Sequence, residues 1–212
     1  MGHTAVEGLM AENVLELLSA RRGHFLLESG HHGDFWLDLE ALAYQPHRLR
    51  AMAGDLAKAI SGWGVDAVCG PLIEGAFVGL FVALELKVDF TYSERFARPS
   101  HEGLFPAGYR IPAALREKAR GRRVAIVNDV INAGSAVRGT FDDLESCGAR
   151  VVGISALLVL GTAIEEYSAA KSVPLISLAQ APNHLWAPSE CPLCVTGVPL
   201  VGVEDLHRTL LA

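Results

Sequence analysis

The chain has 212 residues, of which half are hydrophobic and 20% are charged, and its formal net charge at pH 7 is -6. This composition is typical of a folded globular protein with one sizeable core, and it excludes a disordered chain. The acidic balance argues against a nucleic-acid-binding protein, and no apolar run approaches the ~18 residues of a membrane span. Glu7, Glu12 and Glu16 interrupt the pattern of a signal peptide, so we expect a cytoplasmic protein.

Helical and strand periodicities alternate along most of the chain. Predicted helices cover residues 5–20, 47–62, from after Gly75 to about Glu85, from Val137 past Leu144, and 162–171. Predicted strands cover residues 24–28, 35–39, 66–70, 88–92, 124–127, 150–159 and 173–178. This alternation predicts an α/β fold in which helices cover both faces of a parallel sheet. Right-handed crossovers then place the loops after the strands along one edge, where ligands bind in such sheets.

Two stretches interrupt this pattern. The first two strands flank a turn, residues 30–33, in which we expect His31 and His32 to be solvated. Residues 93–121 lack clear periodicity, although residues 113–119 are compatible with a helix. Loops of this length in compact domains are usually functional lids or disordered segments.

The stretch from Arg123 to Ala136 is the most informative part of the sequence. Its apolar, mostly β-branched run, Val124–Val127, ends in Asn128 and Asp129, small residues follow, and a helix begins. The backbone N–H groups and the Ser135 hydroxyl of such a loop can hold an anion at the positive end of the helix dipole. The two polar side chains at the strand end can face the sugar of the same ligand. The stretch therefore predicts a site for a phosphorylated sugar.

Together with two further segments, this stretch resembles the type I phosphoribosyltransferases and, within them, the orotate phosphoribosyltransferases. Residues 124–136 resemble the family's phosphoribosyl diphosphate motif. Residues 70–75, Gly-Pro-Leu-Ile-Glu-Gly before an apolar helix, resemble its pyrophosphate loop. Residues 25–30, followed by residues 34–38, resemble the N-terminal hood of the orotate enzymes. The resemblance covers roughly residues 10–180.

The resemblance implies one phosphoribosyltransferase domain over residues 1–180, with a hood at about 20–44 and a lid at about 93–121. A C-terminal Cys-x-x-Cys tail, residues 181–212, would pack on the same domain. The implied reaction transfers ribose 5-phosphate from 5-phosphoribosyl 1-diphosphate to a pyrimidine-like base, orotate in this subfamily, and releases pyrophosphate. Mg²⁺ would bind through the pyrophosphate and ribose of the substrate. Many members are homodimers in which one subunit's lid covers the other's site, which implies a homodimer here.

The same resemblance implies roles for individual residues. Asp129 would face the ribose hydroxyls, and Arg95, Arg98 and His101 would lie in a mobile basic lid that donates to the leaving pyrophosphate. The residues implied at the phosphoribosyl site are Asn128, Asp129, Val130, Ile131, Asn132, Ala133, Gly134, Ser135 and Ala136. Those implied at the pyrophosphate loop are Leu72, Ile73, Glu74 and Gly75. The residues at the base-stacking position of the hood are Phe35 and Trp36, which are equally compatible with the core.

Several positions depart from the family pattern. Asn128 replaces the first of two adjacent acids, and Glu28 stands where the hood usually has a lysine. The first part of the lid has arginines instead of lysines, which leaves His101 as its proton donor. No arginine follows the strand at 150–159, where the orotate enzymes hold the substrate carboxylate. Because burying a carboxylate without a cation or several donors is costly, either another residue supplies that contact or the base is not orotate.

The tail has a single Cys-x-x-Cys pair, Cys191 and Cys194. Structural zinc sites usually have four ligands, so this pair alone falls short. His184, His207 or the second pair of a dimer would have to complete the site. We therefore expect a reduced structural knuckle rather than a zinc site.

Two other interpretations of the whole chain remain open. Asn128, Glu28 and the absent carboxylate partner favour a non-catalytic regulator that keeps the fold and binds phosphoribosyl diphosphate or a nucleotide. The alternative is a structural or interaction protein whose partner surface is the cysteine pair and the apolar lid. Such a protein would have no affinity for phosphate ligands.

Overall fold

A computed structural model of the protein describes residues 2–27, 30–97 and 107–202. The helices in these ranges are α1 (Gly2–Leu17), α2 (Pro46–Ile60), α3 (Glu74–Leu86), α4 (Ala113–Ala119), α5 (Ser135–Ser146), α6 (Ala163–Ala170) and α7 (Pro192–Val195). The strands are β1 (Arg21–Leu26), β2 (His32–Trp36), β3 (Ala67–Pro71), β4 (Asp89–Ala97), β5 (Ala107–Arg110), β6 (Arg123–Ile131), β7 (Arg150–Leu160), β8 (Leu175–Ala181), β9 (Leu185–Trp186) and β10 (Val201–Gly202). None of these helices is long and apolar enough to cross a bilayer.

The main sheet has six strands in the order β5-β4-β3-β6-β7-β8. Neighbouring strands from β4 to β8 are parallel, and β5 pairs antiparallel with β4. Successive side chains of β6 point to opposite faces, so Ala125 and Val127 belong to the core under α1, α2 and α3. Val124 and Ile126 belong to the second core, under α4, α5 and α6. The predicted parallel sheet with helices on both faces is confirmed.

Strand order decides where the two predicted ligand loops lie. β3 and β6 are neighbours in the sheet and run in the same direction. β3 ends at Pro71 and leads into α3, whereas β6 ends at Ile131 and leads into α5. The loops after the two strands therefore lie side by side at the carboxyl edge of the sheet, where open α/β sheets bind their ligands.

A second sheet of four short strands, in the order β10-β1-β2-β9, joins the hood to the tail. Its central strands begin three residues earlier than the sequence predicts, so His32 lies inside β2 and is only 6% exposed. The expectation that His32 is a solvated turn residue is therefore wrong. The reason is long-range pairing: His32 lies opposite Trp186 of the tail, a contact that local periodicity cannot reveal.

Regular structure also occupies much of the predicted lid. β4 continues to Ala97 and pairs with β5, in a register that places Arg95 opposite Tyr109. The helix compatible with residues 113–119 is confirmed as α4. Antiparallel pairing between distant residues thus orders both ends of this segment, and the lid between about 93 and 121 stays a prediction. Between β4 and β5, residues 98–106 lie outside the described residues, and they include Arg98 and His101.

Candidate active site

The end of β6 and the start of α5 form the predicted phosphate loop. α5 begins at Ser135, with Gly134 as its N-cap, and a cavity of about 260 Å³ opens in front of it. The cavity is lined by Asn128, Val130, Ile131, Asn132, Ala133, Gly134, Ser135, Ala136 and Val137. The structure thus brings the predicted phosphoribosyl residues together around one cavity, with Asp129 between two of them in β6.

Gly134 sets the shape of this loop. Its φ of +79° lies in the left-handed region, which L side chains rarely adopt. A Cβ at this position would also lie 2.9 Å from Cδ1 of Ile164 in α6. Only glycine satisfies both constraints, so the loop can turn sharply into α5, whose positive N-terminal end borders the cavity.

The predicted pyrophosphate loop touches the phosphoribosyl motif directly. The backbone N–H of Leu72 in this loop donates to the carbonyl of Ser93 (2.9 Å). The following peptide bond, Leu72–Ile73, is cis, and α3 begins directly after it at Glu74. A Cβ at Gly75 would lie 2.0 Å from Oδ1 of Asn128. Two motifs more than 50 residues apart in sequence therefore meet at van der Waals distance, because they follow neighbouring parallel strands.

Asp129 is a buried carboxyl group with a perturbed pKa. It is 5% exposed, and burial raises its pKa from 3.8 to about 6. Hydrogen bonds from the backbone N–H groups of Val130 and of Asp129 itself oppose the rise, whereas the negative charge of Glu74 adds to it. The charge of Glu74, in the first turn of α3, thus influences the protonation of Asp129 near the end of β6. At pH 8 the carboxyl group is ionised.

Comparison with known proteins agrees with this geometry. The chain is 32% identical, over 189 residues, to the orotate phosphoribosyltransferase of Wolinella succinogenes, covering 82% of this chain and 86% of the relative. It is 28% identical, over 194 residues, to the orotate phosphoribosyltransferase of Caldanaerobacter subterraneus, covering 90% and 95%. The chain belongs to the orotate phosphoribosyltransferase family. No model of a protein family matches the chain.

Solved structures confirm the fold of the family member. An orotate phosphoribosyltransferase from Aeropyrum pernix superposes with a TM-score of 0.59 at 24% identity, covering 81% of this chain and 93% of that one. An adenine phosphoribosyltransferase from Rhodothermus marinus superposes with a TM-score of 0.62 at 20% identity, covering 81% and 99%. Enzymes for different bases share this fold, so the fold by itself does not select the base.

Asn128, which replaces the first acid of the family motif, is held by a specific hydrogen bond. Its side-chain amide Nδ2 donates to the carbonyl of Val130 (2.8 Å), and the residue is 7% exposed. A carboxylate cannot make this bond, because it has no proton to donate. Asparagine at this position therefore suits the local backbone, because its amide donates to a carbonyl that a carboxylate would repel. This bond holds the first residues of the phosphate loop in place.

The ribbon of β4 and β5 leads from the sheet toward the predicted lid. Arg95 is exposed and lies opposite Tyr109 in the ribbon. Burial raises the pKa of Tyr109, the positive charge of Arg95 lowers it, and the negative charge of Asp129 raises it again. Tyr109 thus lies within electrostatic reach of two of the predicted catalytic residues, Arg95 and Asp129. The sequence placed it in the lid but gave no signal for a role at the site.

The hood residues predicted to stack on the base have the burial of core residues. Phe35 is 8% exposed and belongs to the main core, and Trp36 is 9% exposed and packs with Phe25 in a small hood cluster. Each ring also has a guanidinium over it, Arg22 over Phe35 and Arg21 over Trp36. The sequence left two interpretations of these rings open, stacking on the base and packing in the core, and their burial favours the core. Stacking on a base stays a prediction, and Glu28 lies outside the described residues.

The loop after β7 has no cation of its own, but a guanidinium from α5 reaches it. Nη2 of Arg138 donates to the carbonyl of Ala163 (2.9 Å), and its guanidinium lies 4.7 Å from the centre of the Tyr167 ring. Nε of Arg138 lies 3.6 Å from the position of a Cβ on Gly134. Arg138 therefore braces α6 against α5 and places a positive charge beside the phosphate loop. No motif in the sequence singled out this residue, which stands four positions after Gly134.

One residue of the tail also reaches the phosphate loop. Nδ2 of Asn183 donates to Oδ1 of Asn132 (2.5 Å).

A larger open groove, of about 610 Å³, lies elsewhere along α2 and the end of α3. The charged groups in this groove pair with one another, Arg50 with Glu85 and Lys58 with Asp55. We therefore assign the site to the smaller cavity, where the motif residues converge.

The cysteine pair of the tail has partners other than those expected. Cys191 and Cys194 approach His24 and His32 of the hood, and the four ligand atoms lie within 4.8 Å of one another. His184, one of the predicted extra ligands, instead bonds Oδ2 of Asp34 through Nδ1 (2.8 Å). The other, His207, lies outside the described residues. The further ligands that the sequence suggested are thus not the ones found beside the pair, because the hood sheet brings two distant histidines to the tail.

Proposed function

We propose that the chain is an orotate phosphoribosyltransferase that uses 5-phosphoribosyl 1-diphosphate. The observation that carries the proposal is the contact of Gly75 with Asn128, which joins a pyrophosphate loop to a phosphoribosyl loop beside one cavity. A binder of a simple phosphate needs only the second loop. Two such loops, each at a helix N-terminus, suit a ligand with a phosphate at one end and a pyrophosphate at the other.

In the proposed reaction a nitrogen of the base forms a bond to C1 of the ribose while the bond from C1 to pyrophosphate breaks. The bonding electron pair leaves with pyrophosphate, and positive charge grows on the ribose ring. The Asp129 carboxylate faces the ribose and stabilises this charge. The loop from Leu72 to Gly75 holds the leaving pyrophosphate, and Arg95, Arg98 and His101 donate to it.

Mg²⁺ is the cofactor that this chemistry calls for, because it binds phosphate oxygens and needs few protein ligands. The donor set at the site fits it: one buried carboxylate, Asp129, and the amide oxygen of Asn128 lie beside the two loops. When bound, the ion would neutralise charge on the pyrophosphate. The protein residues orient the substrate and exclude water around it.

An assay with three bases tests the proposal. With 5-phosphoribosyl 1-diphosphate and Mg²⁺, we expect orotate to be converted to its nucleotide with stoichiometric pyrophosphate, and uracil and adenine to be converted at least about 100-fold less efficiently. Chromatography of the nucleotide products measures all three. Tight calorimetric binding of the diphosphate without turnover of any base would instead identify a non-catalytic binder. Preference for uracil would mean that the missing arginine after β7 marks a base without a carboxylate.

Replacing Asn128 by Asp tests whether the absence of the family's first acid lowers activity. We expect Asn128→Asp to lower the free energy of unfolding by about 1–3 kcal/mol, because the bond to the Val130 carbonyl is lost and a carboxylate faces that oxygen. Turnover should not rise. The Asn128→Ala variant loses the hydrogen-bond donor without gaining a charge, so its stability separates the two effects. Higher turnover of the Asp variant would show that the natural amide attenuates the enzyme.

We also propose a homodimer formed through α3. Three apolar side chains of this helix are exposed at helical spacing, Phe77 (41%), Leu80 (41%) and Leu84 (58%). Such a stripe on a single chain of 22.6 kDa is typical of a protein interface. Light scattering should give twice the chain mass for the natural protein and the chain mass for Leu80→Glu. Tyr44→Glu, at a residue 87% exposed outside this stripe, is the control and should stay dimeric. A monomeric natural protein would contradict the proposal.

A further inference from the structure

Four metal-ligating side chains from two distant parts of the chain meet outside the active site. His24 lies in β1, His32 in β2, and Cys191 and Cys194 at the start and inside of α7. Each offers one ligand atom, and these atoms all lie within 4.8 Å of one another. Three of the residues are buried: His24 and Cys191 are 1% exposed and His32 is 6% exposed. Both cysteines are free thiols.

Four of the six distances between the ligand atoms are close to those of a tetrahedral site. Nε2 of His24 lies 3.0 Å from Nδ1 of His32, and Sγ of Cys191 lies 3.3 Å from Nε2 of His24. Sγ of Cys194 lies 3.3 Å from Nδ1 of His32 and 3.8 Å from Nε2 of His24. Tetrahedral zinc with Zn–N of about 2.0–2.1 Å and Zn–S of about 2.3 Å places its ligand atoms about 3.3–3.8 Å apart.

A second hydrogen bond orients the first histidine. Nδ1 of His24 lies 2.8 Å from the carbonyl oxygen of Val198, so this nitrogen carries the proton and donates. Nε2 is then left with its lone pair, directed at His32 and the two thiols. Metal-ligating histidines are held in the same way, with the distal nitrogen donating to a carbonyl or carboxylate. Without a metal, only weak S–H donors are available to the imidazole nitrogens in this buried space, whereas one cation satisfies all four groups at once.

We propose that His24, His32, Cys191 and Cys194 bind one structural Zn²⁺. Two thiolates and two imidazoles are a preferred donor set of Zn²⁺, whereas Mg²⁺ requires oxygen ligands. Four protein ligands fill the tetrahedron and leave no position for a substrate, so the ion has a structural role. The site is therefore separate from the Mg²⁺ chemistry of the phosphoribosyl site.

The ion fastens the tail to the hood. The hood sheet has little core of its own, because Phe25 and Trp36 form its buried cluster and its edge strands, β9 and β10, have two residues each. The first and last ligands are 170 residues apart. A crosslink over such a distance restricts the unfolded chain strongly and holds together strands that pair weakly by themselves.

Metal analysis of the full-length protein, purified without chelator, tests the proposal. We expect one zinc per chain in the natural protein and none in Cys191→Ser or His32→Ala. The matched controls His184→Ala and Cys147→Ala should keep one zinc per chain, because neither residue belongs to the cluster. Exchange with Co²⁺ should give the intense visible bands of a tetrahedral site with thiolate ligands.

Removal of the metal from the natural protein with a chelator tests the proposal even where a variant does not fold. Removal of zinc should lower Tm by about 10 °C, and Zn²⁺, but not Mg²⁺, should restore it. Metal-free natural protein whose Tm does not respond to Zn²⁺ would overturn the proposal. So would a Cys191–Cys194 disulfide found by mass spectrometry in freshly purified protein, or zinc retained by the His32→Ala variant.

Discussion

Asp129→Asn is expected to lose turnover and gain stability at the same time. In the proposed mechanism the carboxylate meets positive charge that exists only in the transition state, so we expect kcat to fall by about 100-fold. The affinity for 5-phosphoribosyl 1-diphosphate should change by less than about tenfold. Steady-state kinetics and calorimetry measure the two effects. Equal losses in both would mean that Asp129 only binds the ground state.

The gain in stability follows from the pKa of Asp129. Its folded pKa is about 6, against an unfolded value near 3.8, so the native state disfavours the ionised form. The free energy of unfolding of the natural protein should therefore decrease as pH rises from about 4 to 6. A difference of about 2 pKa units corresponds to about 3 kcal/mol. Asp129→Asn should be more stable by up to this amount at pH 8 and show no gain at pH 4.

The same titration predicts the pH dependence of the reaction. kcat/KM of the natural enzyme should fall as pH decreases through about 6, because Asp129 becomes protonated. Glu74→Gln removes a charge that raises this pKa, so it should move the acidic limb to lower pH. Asp142→Asn, on the exposed face of α5, is the control and should leave the limb in place. An acidic limb that persists unchanged in Asp129→Asn would assign it to another group.

Gly75→Ala is expected to disrupt the site although alanine is the better helix former. The added Cβ would lie 2.0 Å from Oδ1 of Asn128, so either this side chain rotates and loses its bond to the Val130 carbonyl, or the backbone of α3 or β6 moves. We expect the free energy of unfolding to fall by about 1–3 kcal/mol and turnover to fall by about 100-fold, because both substrate-binding loops shift. Chemical denaturation and the orotate assay measure these effects.

Gly54→Ala in α2 is a matched control, because the nearest atom to its added Cβ lies 4.0 Å away. This variant should gain about 0.5–1 kcal/mol and keep its turnover. The double variant Gly75→Ala, Asn128→Ala should recover much of the lost stability, since the clashing oxygen is removed, but not the turnover. Normal activity of Gly75→Ala would show that the two loops do not need to touch.

Local patterns predicted the main sheet and the phosphate loop well. The apolar run of β6, the polar pair that follows it and the glycine before α5 all act within about 12 residues, and their physical effects are local. Gly134 needs a left-handed backbone whatever surrounds it, and a buried strand needs apolar residues on both faces. The alternation of elements then fixed the parallel topology and the edge at which the loops meet.

The hood, the ends of the lid and the metal cluster were decided by the tertiary structure, because each depends on residues far apart in sequence. β4 extends to Ala97 because it pairs with β5, and His32 is buried because β2 pairs with a strand of the tail. The sequence by itself determined an α/β phosphoribosyltransferase fold and the loop that is proposed to bind phosphate. Only the tertiary structure placed Gly75 against Asn128, raised the pKa of Asp129 by burying it, and completed the cysteine pair with two histidines, since long-range contacts leave no periodic signal in the chain.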